Sequence, residues 1–342
     1  MSGSFADHLL RWWRVHGRHD LPWQAAPRDR YRIWVAEVML QQTQVATVLG
    51  YYQRFIERFP DVTALADGAE DEVLSVWSGL GYYSRARNLH AAAKRIEAEG
   101  WPEDLDGWMA LPGIGRSTAG AILAQATGER LPILDGNVKR VLARHAGIEG
   151  WPGRSAVLRS LWAEADARTP MAQVADYTQA IMDLGATLCT VRAPRCDECP
   201  VSEDCVAFAT DRQIELPESR PRRSLPERET HWLVARREDG AVLLTRRPPT
   251  GIWGGLWAPP EAADAERLDT LARSFGAAVV ERFAPFRHTF THFRLTIHPH
   301  LARPTGPEAV ADSDSIWFRQ GDGQAVGLPK PVANLLQRLS SA

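Results

Sequence analysis

Apolar residues recur at helical spacing along most of the chain, from about residue 5 to residue 210. Residues 9–15 combine leucine, tryptophan and valine in a pattern that predicts a first amphipathic helix, ending near Gly17. Residues 175–188 predict another helix, which leads directly into a cysteine-rich segment. We therefore expect the first part of the chain to be mainly helical.

The pattern changes after Pro217–Arg228, a proline-rich and basic stretch. Such a composition is typical of an extended linker, so we place the domain boundary there. The sequence predicts a first domain at residues 1–216, a linker at 217–228 and a second domain at 229–342.

Short apolar runs in the second domain predict strands. Residues 231–235 and 241–244 flank Asp239-Gly240, a pair that favours a hairpin turn. Residues 293–298 and 315–318 are further strand candidates. We expect this domain to be α+β.

Size and composition are those of a two-domain globular protein of 342 residues. No apolar run approaches the length of a membrane span, and the N-terminus lacks the apolar core of a signal peptide. We therefore expect an intracellular, cytoplasmic protein without a membrane partner. The net charge of −2 does not favour nucleic-acid binding, although local patches matter more than the average.

The segment from Ala110 to Val141 carries the strongest local signal. Gly113 and Gly115 precede an alanine-rich helix, where glycine permits a tight turn and exposed N–H groups suit an anion. An ordinary corner between helices would give the same Gly-x-Gly pattern. Farther along, Asp135 stands alone between an apolar run and a basic pair.

A second signal lies between Ile33 and Leu49. On a helix, Glu37 has largely apolar neighbours three and four positions away. Burial on such a face raises the pKa of a carboxyl, which then acts as a general acid near neutral pH. The alternative is a solvated surface glutamate. The polar residues from Gln41 to Gln44 fit a polar helix end.

A third segment, Val76–Asn88, has a Gly-x-Gly break followed by two tyrosines and two arginines. Tyrosine stacks on bases and arginine contacts phosphate in many nucleic-acid complexes. A tight turn with exposed aromatic side chains is the alternative interpretation.

The four cysteines of the chain cluster in one short segment, with the spacing Cys-x6-Cys-x2-Cys-x5-Cys. In an intracellular protein this clustering indicates metal ligation rather than disulfide bonds. Four thiolates suit either zinc or a 4Fe–4S cluster. The candidate ligands are Cys189, Cys196, Cys199 and Cys205.

Together these motifs resemble the helix–hairpin–helix DNA glycosylases, and more narrowly the MutY-type adenine DNA glycosylases. The resemblance implies that Gly113, Gly115 and Ser117 contact DNA through the hairpin. It implies catalytic roles for Glu37, as the acid that protonates adenine, and for Asp135, which stabilises the sugar cation. We expect Asn137 to help orient this site.

The same resemblance assigns further contacts. Trp23 and Gln24 form the base pocket, although a core anchor is an equal alternative for Trp23. Gln42 and Thr43 contact DNA around the opposing base, and Tyr82 inserts into the base stack. It also favours a 4Fe–4S cluster over zinc in the loop 189–205, where Arg192 and Arg195 are available to phosphate.

The second domain resembles a Nudix domain whose metal-binding box is empty. Gly255, Glu261 and Gly276 match the Nudix pattern Gly-x5-Glu-x7-Arg-Glu-x2-Glu-Glu-x-Gly in identity and spacing. The four other specified positions, an Arg-Glu pair and a Glu-Glu pair in that pattern, hold different residues here. Those positions hold Asp269, Thr270, Arg273 and Ser274. Because the paired glutamates that hold Mg²⁺ are missing, we expect recognition rather than pyrophosphate hydrolysis.

The expected reader of 8-oxoguanine in this domain is Phe290-Thr291-His292, where the family usually has Phe-Ser-His. A strand with alternating faces is the other interpretation of these three residues. The fold class is thus a mainly α helix–hairpin–helix glycosylase region with an iron–sulfur loop, followed by an α+β Nudix-like domain.

The resemblance implies a monofunctional base excision repair enzyme that removes adenine opposite 8-oxoguanine or guanine. We expect it to act as a monomer on double-stranded DNA, associated with the nucleoid. Two alternatives remain. A bifunctional pyrimidine glycosylase/lyase of the endonuclease III type is disfavoured because Ser117 replaces the lysine that forms a Schiff base. A non-enzymatic iron–sulfur DNA-binding protein is the other.

Overall fold

The computed structural model describes residues 3–221, 224–306 and 314–340. The chain forms two compact units, one made of residues 1–66 and 91–222, the other of residues 67–90 and 223–342. Two residues of the proposed linker, Arg222 and Arg223, lie outside the described residues. The domain limits proposed from the sequence stay a prediction.

Helices dominate the chain as far as Ala209, as the apolar pattern predicted. These helices are α1 (Phe5–His16), α2 (Arg30–Leu40), α3 (Val45–Arg58), α4 (Val62–Asp67), α5 (Glu70–Trp77), α6 (Ser84–Glu99), α7 (Leu105–Met109), α8 (Arg116–Thr127), α9 (Gly136–His145), α10 (Ser155–Arg168), α11 (Val174–Thr187) and α12 (Val206–Ala209). Short 3₁₀ helices cover Pro22–Gln24 and Cys196–Glu198.

The predicted end of α1 near Gly17 is confirmed, and α11 lies within one residue of its predicted limits at both ends. Ser4 caps α1 in a reciprocal hydrogen-bond pair with Asp7, and the helix ends at Gly17. The apolar face of α1 packs on α11, which also contacts α8 and α9. Leu10 and Leu184 lie in this core.

A buried carboxylate fixes the contact between α1 and α11. Asp183, only 1% exposed, accepts hydrogen bonds from Trp13 Nε1 at 3.0 Å and from Gln179 Nε2 at 2.8 Å. Arg18 donates to it from its backbone N–H and from Nε, both at 2.9 Å. The charge is therefore paired and fully hydrogen-bonded, which burial requires.

The described residues after Ala209 contain the strands and two more helices. The elements are β1 (Glu227–Ala235), β2 (Val242–Arg246), β3 (Trp257–Ala258), β4 (Glu261–Ala262), α13 (Ala265–Ser274), β5 (Ala277–Arg282), β6 (Phe286–Thr289), β7 (Arg294–Pro304), β8 (Ser315–Phe318) and α14 (Lys330–Ser340).

Two sheets organise these strands. One has the order β4-β1-β7-β5, with β6 also paired to β7, and the other has the order β3-β2-β8. The β1–β7 ladder is parallel and the remaining ladders are antiparallel. Helix α13 covers the first sheet, where Leu233, Leu268 and Ala272 are buried together. The expected α+β class is confirmed.

The hairpin predicted around Asp239-Gly240 is wrong in one respect. The turn forms, with Gly240 at a φ of +88°, but β1 and β2 then enter different sheets. Among the described residues, a single bridge between Arg236 and Val242 joins their ends. Turn chemistry fixed the local reversal, whereas side-chain packing decided the strand partners.

Residues 67–90 belong to the same unit as the C-terminal strands, which the sequence did not predict. Arg246 Nη2 pairs with Asp71 Oδ1 at 2.9 Å, and Trp257 Nε1 donates to the same oxygen at 3.3 Å. The Tyr83 hydroxyl donates to the carbonyl of Leu328 at 2.9 Å. In the part of the chain that the structure describes, no helix has the length and apolar character to cross a membrane.

Candidate active site

The ends of three helices of the first unit surround a cavity of about 320 Å³. Glu37 and Gln42 come from the end of α2 and the turn after it. Ser117 comes from the start of α8 and Asp135 from the start of α9. Four side chains singled out in the sequence therefore share one cavity.

Glu37 is partly buried in the wall of this cavity. Burial raises its pKa to about 7, the nearby charge of Asp135 acts in the same direction, and a hydrogen bond from Gln125 opposes them. That bond joins Gln125 Nε2 to Glu37 Oε1 at 2.7 Å. A carboxyl with such a pKa is partly protonated near neutral pH, as the apolar helix face suggested, and can donate a proton.

Asp135 is the N-cap of α9 and accepts a hydrogen bond from the backbone N–H of Val138 at 2.7 Å. Burial raises its pKa. The N–H groups of Val138 and Asn137 and the charges of Arg140 and Lys139 oppose this rise, because all of them favour the carboxylate. The helix N-terminus adds a positive dipole end beside the same carboxyl.

Asn137 faces the core side of α9. Its Oδ1 accepts from Arg140 Nη2 at 2.9 Å. Arg140 also donates to the carbonyls of Gly185 at 2.6 Å and Cys189 at 2.7 Å. A Cβ at Gly185 would lie 2.6 Å from the Cβ of Asn137, so glycine permits the close approach of α11 to α9.

The predicted hairpin lies between α7 and α8. Gly113 has a φ of +76°, in the region that glycine adopts without strain. Gly115 is the N-cap of α8, and a Cβ there would meet no atom within 4 Å. No side chain caps this helix start, and a helix N-terminus of this kind suits an anion.

Ser117 makes a structural contact within this region. Its Oγ accepts a hydrogen bond from the backbone N–H of Leu134 at 2.9 Å, which joins α8 to the loop before Asp135. Gln41 donates from Nε2 to Thr118 Oγ1 at 3.3 Å and ties the turn after α2 to the same helix.

Trp23 is 2% exposed and packs edge-on against Tyr52, with ring centroids 5.2 Å apart. The adjacent Gln24 is partly buried, and its Nε2 is a buried donor without a hydrogen-bond partner among the described residues. An unpaired buried amide is costly, so it marks a place where a polar ligand would be stabilised.

Gln42 and Thr43 form the turn between α2 and α3, which confirms a polar helix end there. Gln42 is exposed with a φ of +59°, an uncommon conformation for a residue other than glycine. Thr43 Oγ1 lies 3.5 Å from the carbonyl of Gln41.

In the second unit, Tyr82 lies at the tip of the turn between α5 and α6. It is 44% exposed and has a φ of +48°. Ser78 Oγ donates to the carbonyl of Leu328 at 3.1 Å, and the hydroxyl of Tyr83 binds the same carbonyl. The turn that presents Tyr82 is thus anchored on both sides.

Phe290, Thr291 and His292 lie in the turn between β6 and β7, so the alternative of a continuous strand is wrong. The backbone N–H of Phe290 donates to the carbonyl of Phe293 at 2.9 Å, and their rings stack with centroids 4.5 Å apart. Thr291 and His292 are exposed at the tip.

The four cysteines line one mainly apolar cavity of the first unit, and none is in a disulfide. Within the described residues, no three His, Cys, Asp or Glu side chains are placed to hold a single metal ion. A 4Fe–4S cluster instead spreads four thiolates over four irons. A set of four thiols around an apolar cavity therefore fits that cluster.

Arg140 and Arg144 of α9, neither of which was assigned to the cysteine loop from the sequence, hold that loop. Arg144 Nη1 donates to Cys189 Sγ at 3.3 Å and to the carbonyl of Thr190 at 2.7 Å. Arg195, expected to face phosphate, pairs with Glu198 at 3.0 Å. The i, i+4 spacing of Arg140 and Arg144 on α9 was the available signal.

Gln125 was also missed. It lies in an otherwise apolar run of α8, and its burial beside Glu37 follows from the contact between α2 and α8. A lone amide in such a run was its only sequence signal.

Three families match parts of the chain. The HhH-GPD superfamily of base excision DNA repair proteins matches residues 35–167. The iron–sulfur binding domain of endonuclease III matches residues 189–205, and the NUDIX domain matches residues 231–338.

Two proteins named adenine DNA glycosylase are similar over most of the chain. The protein from Buchnera aphidicola is 34% identical over 340 residues, covering 97% of this chain and 97% of its own. The protein from Homo sapiens is 33% identical over 390 residues, covering 93% of this chain and 70% of its own. A solved thermostable thymine-DNA glycosylase is 26% identical with a TM-score of 0.55, covering 60% of this chain and 95% of that one.

Proposed function

This chain belongs to the adenine DNA glycosylases, and on that premise we propose that it removes adenine mispaired with 8-oxoguanine or guanine. As a member of this family it binds DNA and is a monofunctional hydrolase of the N-glycosyl bond. Its four cysteines hold a 4Fe–4S cluster.

The observation that carries the proposed mechanism is the pair of unlike carboxyls in one cavity. Glu37, with a pKa of about 7, is the acid and donates its proton to a ring nitrogen of adenine. The protonated base is a better leaving group, and its departure leaves positive charge on the sugar. Glycoside hydrolysis uses the same division of labour between two carboxyls.

Asp135 stabilises the developing sugar cation. Its hydrogen bond from Val138 N–H and its place at the start of α9 support the ionised form against the effect of burial. Asn137 acts indirectly, since its contact with Arg140 fixes the first turn of α9. Water then completes the hydrolysis.

The flipped adenine occupies a pocket that Trp23 and Gln24 help to form. The buried Nε2 of Gln24 gains an acceptor when a purine nitrogen reaches it. Gln42 and Thr43, in the turn beside the cavity, contact the DNA around the opposing base.

Other contacts position the duplex. The backbone N–H groups of Gly113, Gly115 and Ser117, in the turn before α8 and in its first residues, bind phosphate. The exposed ring of Tyr82 enters the gap in the base stack. In the second unit, Phe290 supports the tip at which Thr291 and His292 read 8-oxoguanine.

Ser117 supports base removal without strand cleavage. Its oxygen already binds Leu134 N–H, and a Schiff base needs an amine. We further propose that the enzyme works as a monomer in the cytoplasm, on the nucleoid, where its DNA substrate lies.

Single-turnover cleavage of a labelled duplex with one adenine opposite 8-oxoguanine tests the proposal. Each time point is divided between alkali and no treatment, and breaks are expected only after alkali. Glu37→Gln should bind the duplex normally and lose about 10²–10⁴-fold in rate. Breaks without alkali would contradict the Ser117 argument, and near-normal turnover by the variant would remove Glu37 from the mechanism.

A further inference from the structure

Gln125 lies on α8 with 2% of its surface exposed, and its side chain reaches across to α2. Its Nε2 donates to Glu37 Oε1 at 2.7 Å. Its backbone carbonyl accepts from Arg28 Nη1 at 3.3 Å, and Arg28 also pairs with Asp176 at 3.0 Å. Gln125 is thus held in place through both its side chain and its backbone carbonyl.

A glutamine at this position needs an explanation, because the surrounding part of α8 is apolar and buried from Ala119 to Ala124. Burying an unpaired amide costs about 1–3 kcal/mol, so its side chain must find a polar partner. The partner is the carboxyl that lines the cavity.

The hydrogen bond distinguishes the two oxygens of Glu37. An amide N–H only donates, so the oxygen that it contacts must accept and cannot carry a proton directed at the same nitrogen. We propose that Gln125 is a positioning residue for base removal, which holds Glu37 Oε1 as an acceptor and confines the acid proton to Oε2. This inference rests on the proposed acid role of Glu37.

The hydrogen bond from Gln125 also affects the pKa of Glu37. Burial and the charge of Asp135 raise the pKa of Glu37, whereas the Gln125 amide lowers it by stabilising the carboxylate. Among the described residues, Asp135 is the charged group that acts on Glu37. Removing the amide should therefore move the pKa of Glu37 upward, and the rate should persist to higher pH.

The test is the pH profile of single-turnover base removal by Gln125→Met, which keeps the side-chain volume but has no donor. The alkaline midpoint should rise by about one pH unit, because a hydrogen bond to a charged group is lost. The rate of base removal on the low-pH plateau should fall by about tenfold, because the Glu37 proton is no longer confined to Oε2. Affinity for the lesion duplex should not change.

Gln125→Asn is the second variant, since its amide is one methylene too short to reach Glu37. It should give the same shift, and it keeps the test available if the methionine variant folds poorly. Thr127→Val is the control on the same helix, because it removes a hydrogen bond to Leu123 without touching Glu37. Its alkaline midpoint should equal that of the unchanged enzyme.

Two outcomes are separable. If the folded Gln125 variants keep the original alkaline midpoint, the positioning role is overturned, whatever happens to the rate or the stability. If Glu37→Gln, measured in parallel, retains turnover, the proposed function itself is wrong. A raised midpoint in either Gln125 variant, with Glu37→Gln inactive, supports both.

Discussion

The close approach of α11 to α9 makes Gly185→Ala the sharpest structural test of the site. The added Cβ would lie 2.6 Å from the Cβ of Asn137 and 3.2 Å from its Cα and carbonyl carbon. Carbon atoms rest about 3.5–4.0 Å apart, so the first turn of α9 must move by roughly 1 Å. That turn begins at Asp135.

Gly185→Ala should affect the rate of base removal much more than the free energy of unfolding. Overpacking of this kind costs about 1–3 kcal/mol, and the helix preference of alanine over glycine returns up to about 1 kcal/mol. The net loss of stability is therefore small, about 0–2 kcal/mol. A displacement of about 1 Å at a catalytic group can cost 10²-fold in rate. The rate should fall far more than the stability.

Single-turnover base removal at saturating enzyme measures the rate, and the thermal midpoint at a fixed scan rate measures the stability. Gly50→Ala is the matched control, because Gly50 is exposed on α3 and a Cβ there meets no atom within 4 Å. The control should keep its rate and gain slightly in stability. A Gly185→Ala rate within about threefold of the original would refute the reasoning.

Three further changes have defined outcomes. Asp183→Asn should destabilise the first unit by about 3 kcal/mol in thermal unfolding, because Arg18 loses its buried partner; an unchanged midpoint would contradict this. Tyr83→Phe removes the donor to Leu328 and should cost about 1 kcal/mol of stability, read from the same melts, with weaker binding of the lesion duplex. Burial lowers the pKa of His145 to about 4, whereas in the unfolded chain this side chain takes up a proton near pH 6.5. The free energy of unfolding should therefore fall by about 2–3 kcal/mol as the pH drops from 6.5 towards 4. His145→Gln should flatten that part of the stability–pH curve.

Short-range signals in the sequence singled out four side chains that line one cavity, those of Glu37, Gln42, Ser117 and Asp135. The two glycines of the hairpin, the acid on the apolar face of α2 and the cysteine spacing each follow from a few neighbouring residues. The structure places Glu37 and Asp135 in one cavity, which their proposed cooperation on one substrate requires. Their assigned roles stay predictions.

Contacts between residues far apart in the chain could not be predicted from such short-range signals. The donor that reaches Glu37 lies 88 residues away along the chain, in Gln125. The grouping of residues 67–90 with the C-terminal strands depends on pairs such as Arg246 and Asp71. A hairpin signal at Asp239-Gly240 describes a turn, and only the packing of both sheets decides where each strand goes.

The attachment of residues 67–90 to the C-terminal unit has a consequence during synthesis on the ribosome. Tyr83 emerges 245 residues before Leu328, its hydrogen-bond partner. At about 5–20 residues per second, the turn that carries Tyr82 waits roughly 12–50 s for that partner. During this interval the buried side chains of this segment, such as Trp77, lack the contacts that the C-terminal residues supply, and exposed apolar surface of this kind makes a nascent chain prone to aggregation.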